Sequence, residues 1–332
     1  MDRILVTGGA GYIGSILTKQ LLEQGYKVRV LDCLFFGDSG IKQFRNNENF
    51  ELINGRIENP EVVENAVKGC SAVLHLAGLA NDASCDISEE KTRLINYEGT
   101  KLLLKYAKSA GVQRFIYGSS ASIYGAGKNT ALTESSPLAP VSLYAKYRIK
   151  CEEALFDSAS NDFTVCALRK STVFGYSPRQ RLDLVINAMS AHAFNRHEIT
   201  QMGGSQWRPN LHVSDAANAY IACLKANPDA VQKQAFNVGA NSENYTVAQI
   251  AQMIVNEFPN TKIVHKEVSN SASYNLNFDK IESALNYKAK VSVKQGIAEL
   301  KEALNSNLIS NYENDIYYNA KRMLDLQKEG AF

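Results

Sequence analysis

The sequence predicts an α/β protein, a doubly wound parallel sheet with a smaller C-terminal lobe. Three observations lead there. Short β-branched runs alternate with helical patterns through the first half of the chain, the rhythm of strand–crossover–strand units. A glycine-rich turn, TGGAGYIGS, stands between the first run and the first helical pattern. At 332 residues the chain is long for one simple core, so a core domain carrying a smaller lobe is expected.

The elements follow in order. RILVTG is a short strand ending in glycine, YIGSILTKQLLEQG places apolar residues at helical spacing, and KVRVLD is a second strand. AVLHLAG (72–78) and RFIYGSS (114–120) are buried-strand candidates separated by one long helical pattern, EKTRLINYEGTKLLLKYAKSAG. TVCALR (164–169) continues the series after a helix carrying YAKYRIKCEEAL. Beyond about residue 170 the rhythm loosens. GYSPRQRLDLVINAM reads as a loop entering a helix, and GGSQWRPNLHVSDAANAYIACL as a loop, short strand and helix. No repeat or low-complexity linker interrupts the chain. The expected division is a sheet domain over 1–170, with 211–238 returning to it, and a lobe built from 171–210 and 239–332.

Composition narrows the class. Hydrophobic residues make up 45% and charged residues 21%, as in globular proteins generally. A net charge of +2 points to neither nucleic acid nor an anionic membrane, so any anionic ligand must be recognised locally. The six cysteines (33, 70, 85, 151, 166 and 223) are scattered, form no C-x-x-C pair and do not cluster with the five histidines, so no metal site is expected. They suggest a reducing compartment. The chain enters a strand at once, leaving no room for a signal peptide, and no apolar run approaches the roughly 20 residues of a membrane span. A cytoplasmic protein without a membrane partner is expected.

The glycine turn carries the first chemistry. Gly8, Gly11 and Gly14 follow G-x-x-G-x-x-G between a strand and a helix. Such glycines permit a tight turn and let backbone N–H groups, including those of Tyr12 and Ile13, approach a pyrophosphate at the positive end of the helix. Asp32 ends the next strand, 18 residues after Gly14. A carboxylate there accepts bonds from both ribose hydroxyls of an adenosine and repels a 2′-phosphate. The combination predicts a Rossmann-type domain that binds NAD in preference to NADP.

With these pieces in place, the chain resembles the extended short-chain dehydrogenase/reductase family, in its nucleotide-sugar epimerase/dehydratase branch. The resemblance rests on TGGAGYIGS with Asp32, VLHLAG, INYEGT around Asn96, SSASIYG, TESSPLAP, SLYAKYR and RPNLHVSD, and it spans nearly the whole length. It implies a catalytic set of Ser120, Tyr144 and Arg148, with Arg148 standing four residues after the tyrosine where the family carries lysine. A free tyrosine is a weak base at neutral pH, and a nearby cation favours its phenolate. Tyr144 would exchange the proton of a sugar hydroxyl, Ser120 would orient that hydroxyl, and Arg148 would hold the nicotinamide ribose. The same resemblance adds Arg56, Ile57, Leu76, Ala77, Gly78 and Asn96 to the cofactor contacts.

For the substrate it implies a nucleoside-diphosphate sugar. Arg208 in WRPNLHV would hold the diphosphate, with Arg179 and Arg181 as candidates for the same anion or the nucleotide ribose. Four positions depart from the family pattern: Arg148 for lysine, Arg56 for an aspartate near the adenine, Thr172 for an asparagine among the substrate contacts, and Ala272 for a phosphate-binding arginine. His75 and His212 read as structural, and Trp207 as packing or a stacking platform.

The expected activity is NAD-dependent hydride transfer at a sugar ring carbon, C4 by resemblance, as an epimerase or a dehydrogenase/ketoreductase. A 4,6-dehydratase is set aside because Ala121 and Ser122 follow Ser120 where dehydratases carry an Asp–Glu pair. A non-catalytic NAD-sensing protein and a reductase of small hydrophobic alcohols are the readings from other classes. A homodimer is expected through helices around 90–109 and 142–157, motivated by Leu94, Tyr97, Leu104 and Leu155.

Overall fold

The computed structural model describes residues 2–125, 131–268 and 273–332. The chain begins in the middle of the sheet with β1 (Arg3–Thr7) and crosses through α1 (Tyr12–Glu23) to β2 (Lys27–Asp32) and then β3 (Phe50–Asn54). It returns through α2 (Pro60–Val67) to β4 (Ala72–His75), passes two short helices, α3 (Asp82–Cys85) and α4 (Glu89–Thr92), and enters α5 (Gly99–Ser109) and β5 (Arg114–Tyr117). After a short β6 (Ala131–Leu132) come α6 (Leu143–Ser158) and β7 (Thr164–Lys170).

The second half interleaves two bodies. β8 (Thr172–Phe174), α7 (Val185–Arg196), β9 (Glu198–Met202) and β10 (Trp207–His212) leave the sheet. α8 (Val213–Lys225), the short α9 (Pro228–Val231) and β11 (Gln234–Val238) come back to it. β12 (Asn244–Thr246), α10 (Val247–Glu257), β13 (Lys262–Lys266), β14 (Asn275–Leu276), α11 (Asp279–Leu285), α12 (Val293–Asn305) and α13 (Asn319–Lys328) complete the chain.

Seven strands form one parallel sheet in the order β11-β7-β5-β4-β1-β2-β3. The order reverses between β1 and β4, so a crevice opens beyond their carboxyl ends. The strand period of two decides which helices cover which face. Ile4 and Val6 of β1 pack with Leu17 and Leu21 of α1 and with Ala216 and Tyr220 of α8. Leu5, between them, packs in the opposite layer with Val63 of α2, Leu103 of α5 and Leu155 of α6. α7, α10 and α12 gather a third core around Ile186, Ile250 and Ile297.

Three features differ from the sequence expectation. The strands at 72–78 and 114–120 stop at His75 and Tyr117, because the following residues turn over the sheet edge, with Gly78 at φ +146°. The long helix is interrupted by a turn of π-helix, Arg93–Glu98, a form that concentrates near functional sites. The apolar residues expected at a dimer face divide: Leu104 and Leu155 lie in the chain's own core and Tyr97 packs against it, whereas Leu94 is 36% exposed. Core packing therefore accounts for all of that pattern but Leu94.

Candidate active site

A cavity of about 330 Å³ follows the carboxyl edge of the sheet, from the glycine turn to α6 and the end of β7. At its first end the lining is largely backbone. Gly8 has φ +71°, and a side chain there would press on the Ala77 backbone. A Cβ on Gly14 would collide with the Gly8 carbonyl. α1 starts at Tyr12 behind Gly11, which contributes no capping side chain, and its first turn holds no acidic residue. Its leading N–H groups thus face the cavity as a preformed anion cradle. The Tyr12 side chain turns away, its hydroxyl donating to Gly175 O at 2.7 Å, so only its backbone serves the cradle.

Asp32 is held ready by two backbone donors, Ala10 N–H at 3.0 Å and Leu34 N–H at 2.9 Å. Burial pushes its carboxyl upward, opposed by those two bonds and by the charge of Arg179. Ile57, Leu76, Ala77 and Gly78 line the same end, as does Arg56, whose guanidinium lies over the Phe35 ring and donates to Glu58 and to the Ala331 carbonyl. Asn96 does not line the cavity. It is buried within the π-turn, accepting from Leu79 N–H at 2.7 Å and donating back to Leu79 O at 3.1 Å. It therefore positions the Gly78–Leu79 loop rather than touching a ligand.

Beneath that loop lies a hydrogen-bonded relay. Thr100 donates to Asn96 O at 2.6 Å, which leaves its oxygen to accept from His75 Nε2, while His75 Nδ1 accepts from Thr7. Burial, together with Arg148 and Lys170, pushes His75 down to about 3. It is a neutral structural group.

At the other end, Ser142 caps α6 and anchors it to Asp82, its Oγ accepting from Ala145 N–H and donating to Asp82 at 2.6 Å. That anchor sets Tyr144 in the first turn, half-buried, with Lys146 pointing outward. Arg148 lies one turn on, its guanidinium 4.7 Å from the centre of the Tyr144 ring. It does not reach outward: Nη1 donates to Tyr117 OH and to Gly118 O, each at 2.9 Å. Burial alone would depress it, but Tyr117 and Tyr144 hold it well above the usual range, so it is a fixed positive charge. Ser120 ends the turn after β5 and accepts from Ser122 N–H and Ser122 OH, which leaves its own proton to donate. Thr172 lines the cavity beside Tyr274.

The arginines expected for substrate divide. Arg181 lines the cavity but is gripped by Asp183 through two bonds of 2.8 and 3.0 Å. Arg179 lies at the Asp32 end, 3.9 Å over the Phe36 ring and bonded to Asn319 Oδ1 at 2.6 Å, away from Ser120 and Tyr144. Arg208 does not line this cavity. It donates to Trp207 O at 2.9 Å and lies over Tyr274, next to a small cleft formed by Trp207, Ser273, Tyr274 and Asn275. Ala272 falls outside the described residues.

Other residues had no flag in the sequence. Asn319 and Met323 of α13 reach back to wall the Asp32 end, Arg322 donates to Phe35 O, and Phe332 packs edge-on against Phe35. Lys170, one residue beyond the expected strand, lines the opposite end with Ser119 and Ser171. Arg148 Nε, Ser119 Oγ and Ser171 Oγ are buried polar atoms around the cavity that no protein group in the structure satisfies. With the cradle and Asp32, these unmet groups fit a dinucleotide.

A switch-point crevice with an anion cradle, a ribose carboxylate and a Ser–Tyr–Arg set defines a dinucleotide-dependent enzyme of the oxidoreductase type. The chain belongs to the NAD dependent epimerase/dehydratase family, whose profile matches residues 4–239. It is 29% identical over 333 residues to mouse dTDP-D-glucose 4,6-dehydratase, covering 94% of this chain and 91% of that one. It is 26% identical over 275 residues to the UDP-glucose 4-epimerase of Bacillus subtilis, covering 75% and 80% respectively. It spans only 59% of the length of y4nG of Sinorhizobium fredii, with 29% identity. Among solved structures it resembles MoeE5 in complex with UDP-glucose and NAD, with a TM-score of 0.80 and 25% identity over 93% of this chain and all of that one. Nothing in these relatives corrects the sequence reading of NAD or of the enzyme class.

Proposed function

We propose that this protein oxidises a ring hydroxyl of a nucleoside-diphosphate sugar at C4, passes the hydride to NAD, and returns it to give the epimer. One observation carries the reading. A single cavity holds the dinucleotide cradle at one end and Ser120, Tyr144 and Arg148 at the other. Ser120 donates to the sugar oxygen while Tyr144 takes the hydroxyl proton, with the fixed charge of Arg148 behind its ring. Bound NAD would supply the hydride acceptor.

Return of the hydride is favoured over net dehydrogenation by the cofactor end. α13 walls that end through Asn319 and Met323, and Phe332 backs the lining residue Phe35, all from the opposite extreme of the chain. A cofactor so enclosed is suited to stay bound through the cycle. The sugar-nucleotide site is proposed within the lobe from 171–210 and 239–332, with Arg208 beside the Trp207–Tyr274 cleft as the diphosphate ligand. We also infer a homodimer through the helices around 90–109 and 142–157, where Leu94 is exposed; sedimentation as a monomer at micromolar concentration would remove it. All six cysteines are free, and among the described residues no helix is long and apolar enough to cross a membrane, in keeping with the cytoplasm as the proposed compartment.

The test is a panel of uridine and thymidine diphosphate hexoses incubated with the purified protein. Isomers of unchanged mass without accumulating NADH are expected. Stoichiometric NADH would move the assignment to a dehydrogenase, and no turnover of any member would favour a binding protein.

A further inference from the structure

Lys170 is a part-buried amine for which the reaction described above has no use. It ends β7, bridged in parallel register to Ser120, and its Nζ donates to Ser119 O at 2.9 Å and to Tyr220 OH at 3.1 Å. Space has been kept for it. A Cβ on Gly118 would sit 2.9 Å from that Nζ and would clash with the Tyr220 hydroxyl, so a glycine lets amine and phenol lie against the cut end of β5. The amine therefore faces the floor of the cavity, along the sheet edge, where a dinucleotide would lie.

The sheet order says which part of the dinucleotide. The cradle follows β1, and Asp32 ends β2 on one side of it; β4, β5 and β7 lie in succession on the other. A dinucleotide with its pyrophosphate on the β1 turn and its adenosine ribose at Asp32 on the β2 side would carry its other half on the β4 and β5 side. That is where Gly78, Gly118 and Ser119 line the cavity and where the Lys170 amine is pinned.

We propose that Lys170 is the charge partner of the nicotinamide, neutral opposite the oxidised ring and protonated opposite the reduced one. This rests on the assignment of NAD to the cavity. The charges balance: a cationic ring beside an amine becomes a neutral ring beside an ammonium, +1 before and after. In turnover bound NAD would accept the hydride, and the proton that Tyr144 takes from the hydroxyl would pass on to the Lys170 amine, so that Tyr144 ends as it began. On return of the hydride that proton goes back. When NADH binds from solution instead, the proton comes from water.

The surroundings of the amine suit it to this exchange. Burial and the fixed charge of Arg148 hold it well below the ordinary lysine range. The other groups facing it are poor competitors. Tyr220 of α8, backed by Cys166 and Cys223, and Tyr117 of β5 are both pushed upward by burial, and His75 of β4 is held neutral. Arg148 of α6 stays charged. Tyr144 of the same helix is the one further candidate for a proton and needs its own control. A cation beside the ring would disfavour the oxidised form, and the oxidised ring would in turn disfavour the ammonium.

Equilibrium dialysis of the purified protein against equal free NAD and NADH, from pH 6 to 9, tests this by the ratio of the two bound forms. In wild type the bound NADH to NAD ratio should fall by about tenfold per pH unit across a window of one unit or more, since NADH binding takes up one proton there. Lys170→Met should flatten the profile, and Lys170→Arg, a permanent cation, should favour NADH without a slope. Tyr144→Phe should keep the wild-type slope. A flat wild-type ratio, a slope that survives in both Lys170 variants, or a slope lost in Tyr144→Phe would overturn the proposal. Binding of neither dinucleotide would refute the cofactor assignment itself, and the proposal with it.

Discussion

The two ends of the cavity are built on different principles. The end proposed for adenosine and pyrophosphate is made of backbone: glycines that admit no side chain, a helix start, and one carboxylate held by two N–H groups. The reacting end is made of side chains brought from β5, α6, β7 and α8, and their roles depend on what they stack on and bond to. A backbone site leaves a short sequence signature because it needs particular residues in consecutive order. A side-chain site leaves only its members, and their neighbours decide what they do.

Particular residues show the contrast. Gly8, Gly14 and Asp32 could be placed from spacing alone, and the alternation of strand and helix predicts the sheet they stand on. Ser120, Tyr144 and Arg148 became candidates through their order along the chain, and the structure brings them to one cavity. The hydrogen bonds of Arg148 to Tyr117 and Gly118, however, follow from tertiary packing, as does the turning of Asn96 onto Leu79. The wall from α13 had no local sign, because Arg322 meets Phe35 across almost the whole chain. Lys170 had a weak one, a charged residue at the carboxyl end of a buried strand, where such a sheet forms its crevice.

The contrast can be broken by mutations at either end. The largest expected effect is at the reacting end: Tyr144→Phe should lower kcat by about 10²–10⁴-fold while NAD binding by calorimetry stays within about threefold. Comparable loss of both would show that the ends are not separable.

Next comes the joint that holds the reacting end together. Arg169 of β7 grips Glu152 of α6 through bonds of 2.7 to 3.2 Å, both side chains buried, which ties the strand ending in Lys170 to the helix carrying Tyr144. Glu152→Ala should cost about 3–5 kcal/mol in denaturant unfolding by stranding a buried guanidinium. A cost below about 1 kcal/mol would contradict that role.

Acid should act through the relay under the loop. His75 is neutral in the fold and held down to about 3, so its contribution is complete above the unfolded value near 6.5 and is lost as pH falls from there towards 3. Each unit of that shift is worth about 1.4 kcal/mol. The decline in stability over this range should be shallower in His75→Gln, and an unchanged slope would take the histidine out of the account.

The smallest expected effect is a sharpening one at the backbone end. Asp32→Ala should weaken NAD by about 1.5–3 kcal/mol and leave NADP less affected, narrowing the preference between them in parallel titrations. Equal wild-type affinity for the two would remove Asp32 as the discriminating group.

The central claim, that hydride leaves the sugar and returns within one closed site, is tested most directly by isotope. A nucleotide sugar bearing deuterium at C4 is turned over by the protein with its own bound cofactor, and the isomer is examined by mass spectrometry. Retention of the label in the epimer, with no NADH released, is the result this account predicts. An epimer formed with loss of the label to solvent would contradict it.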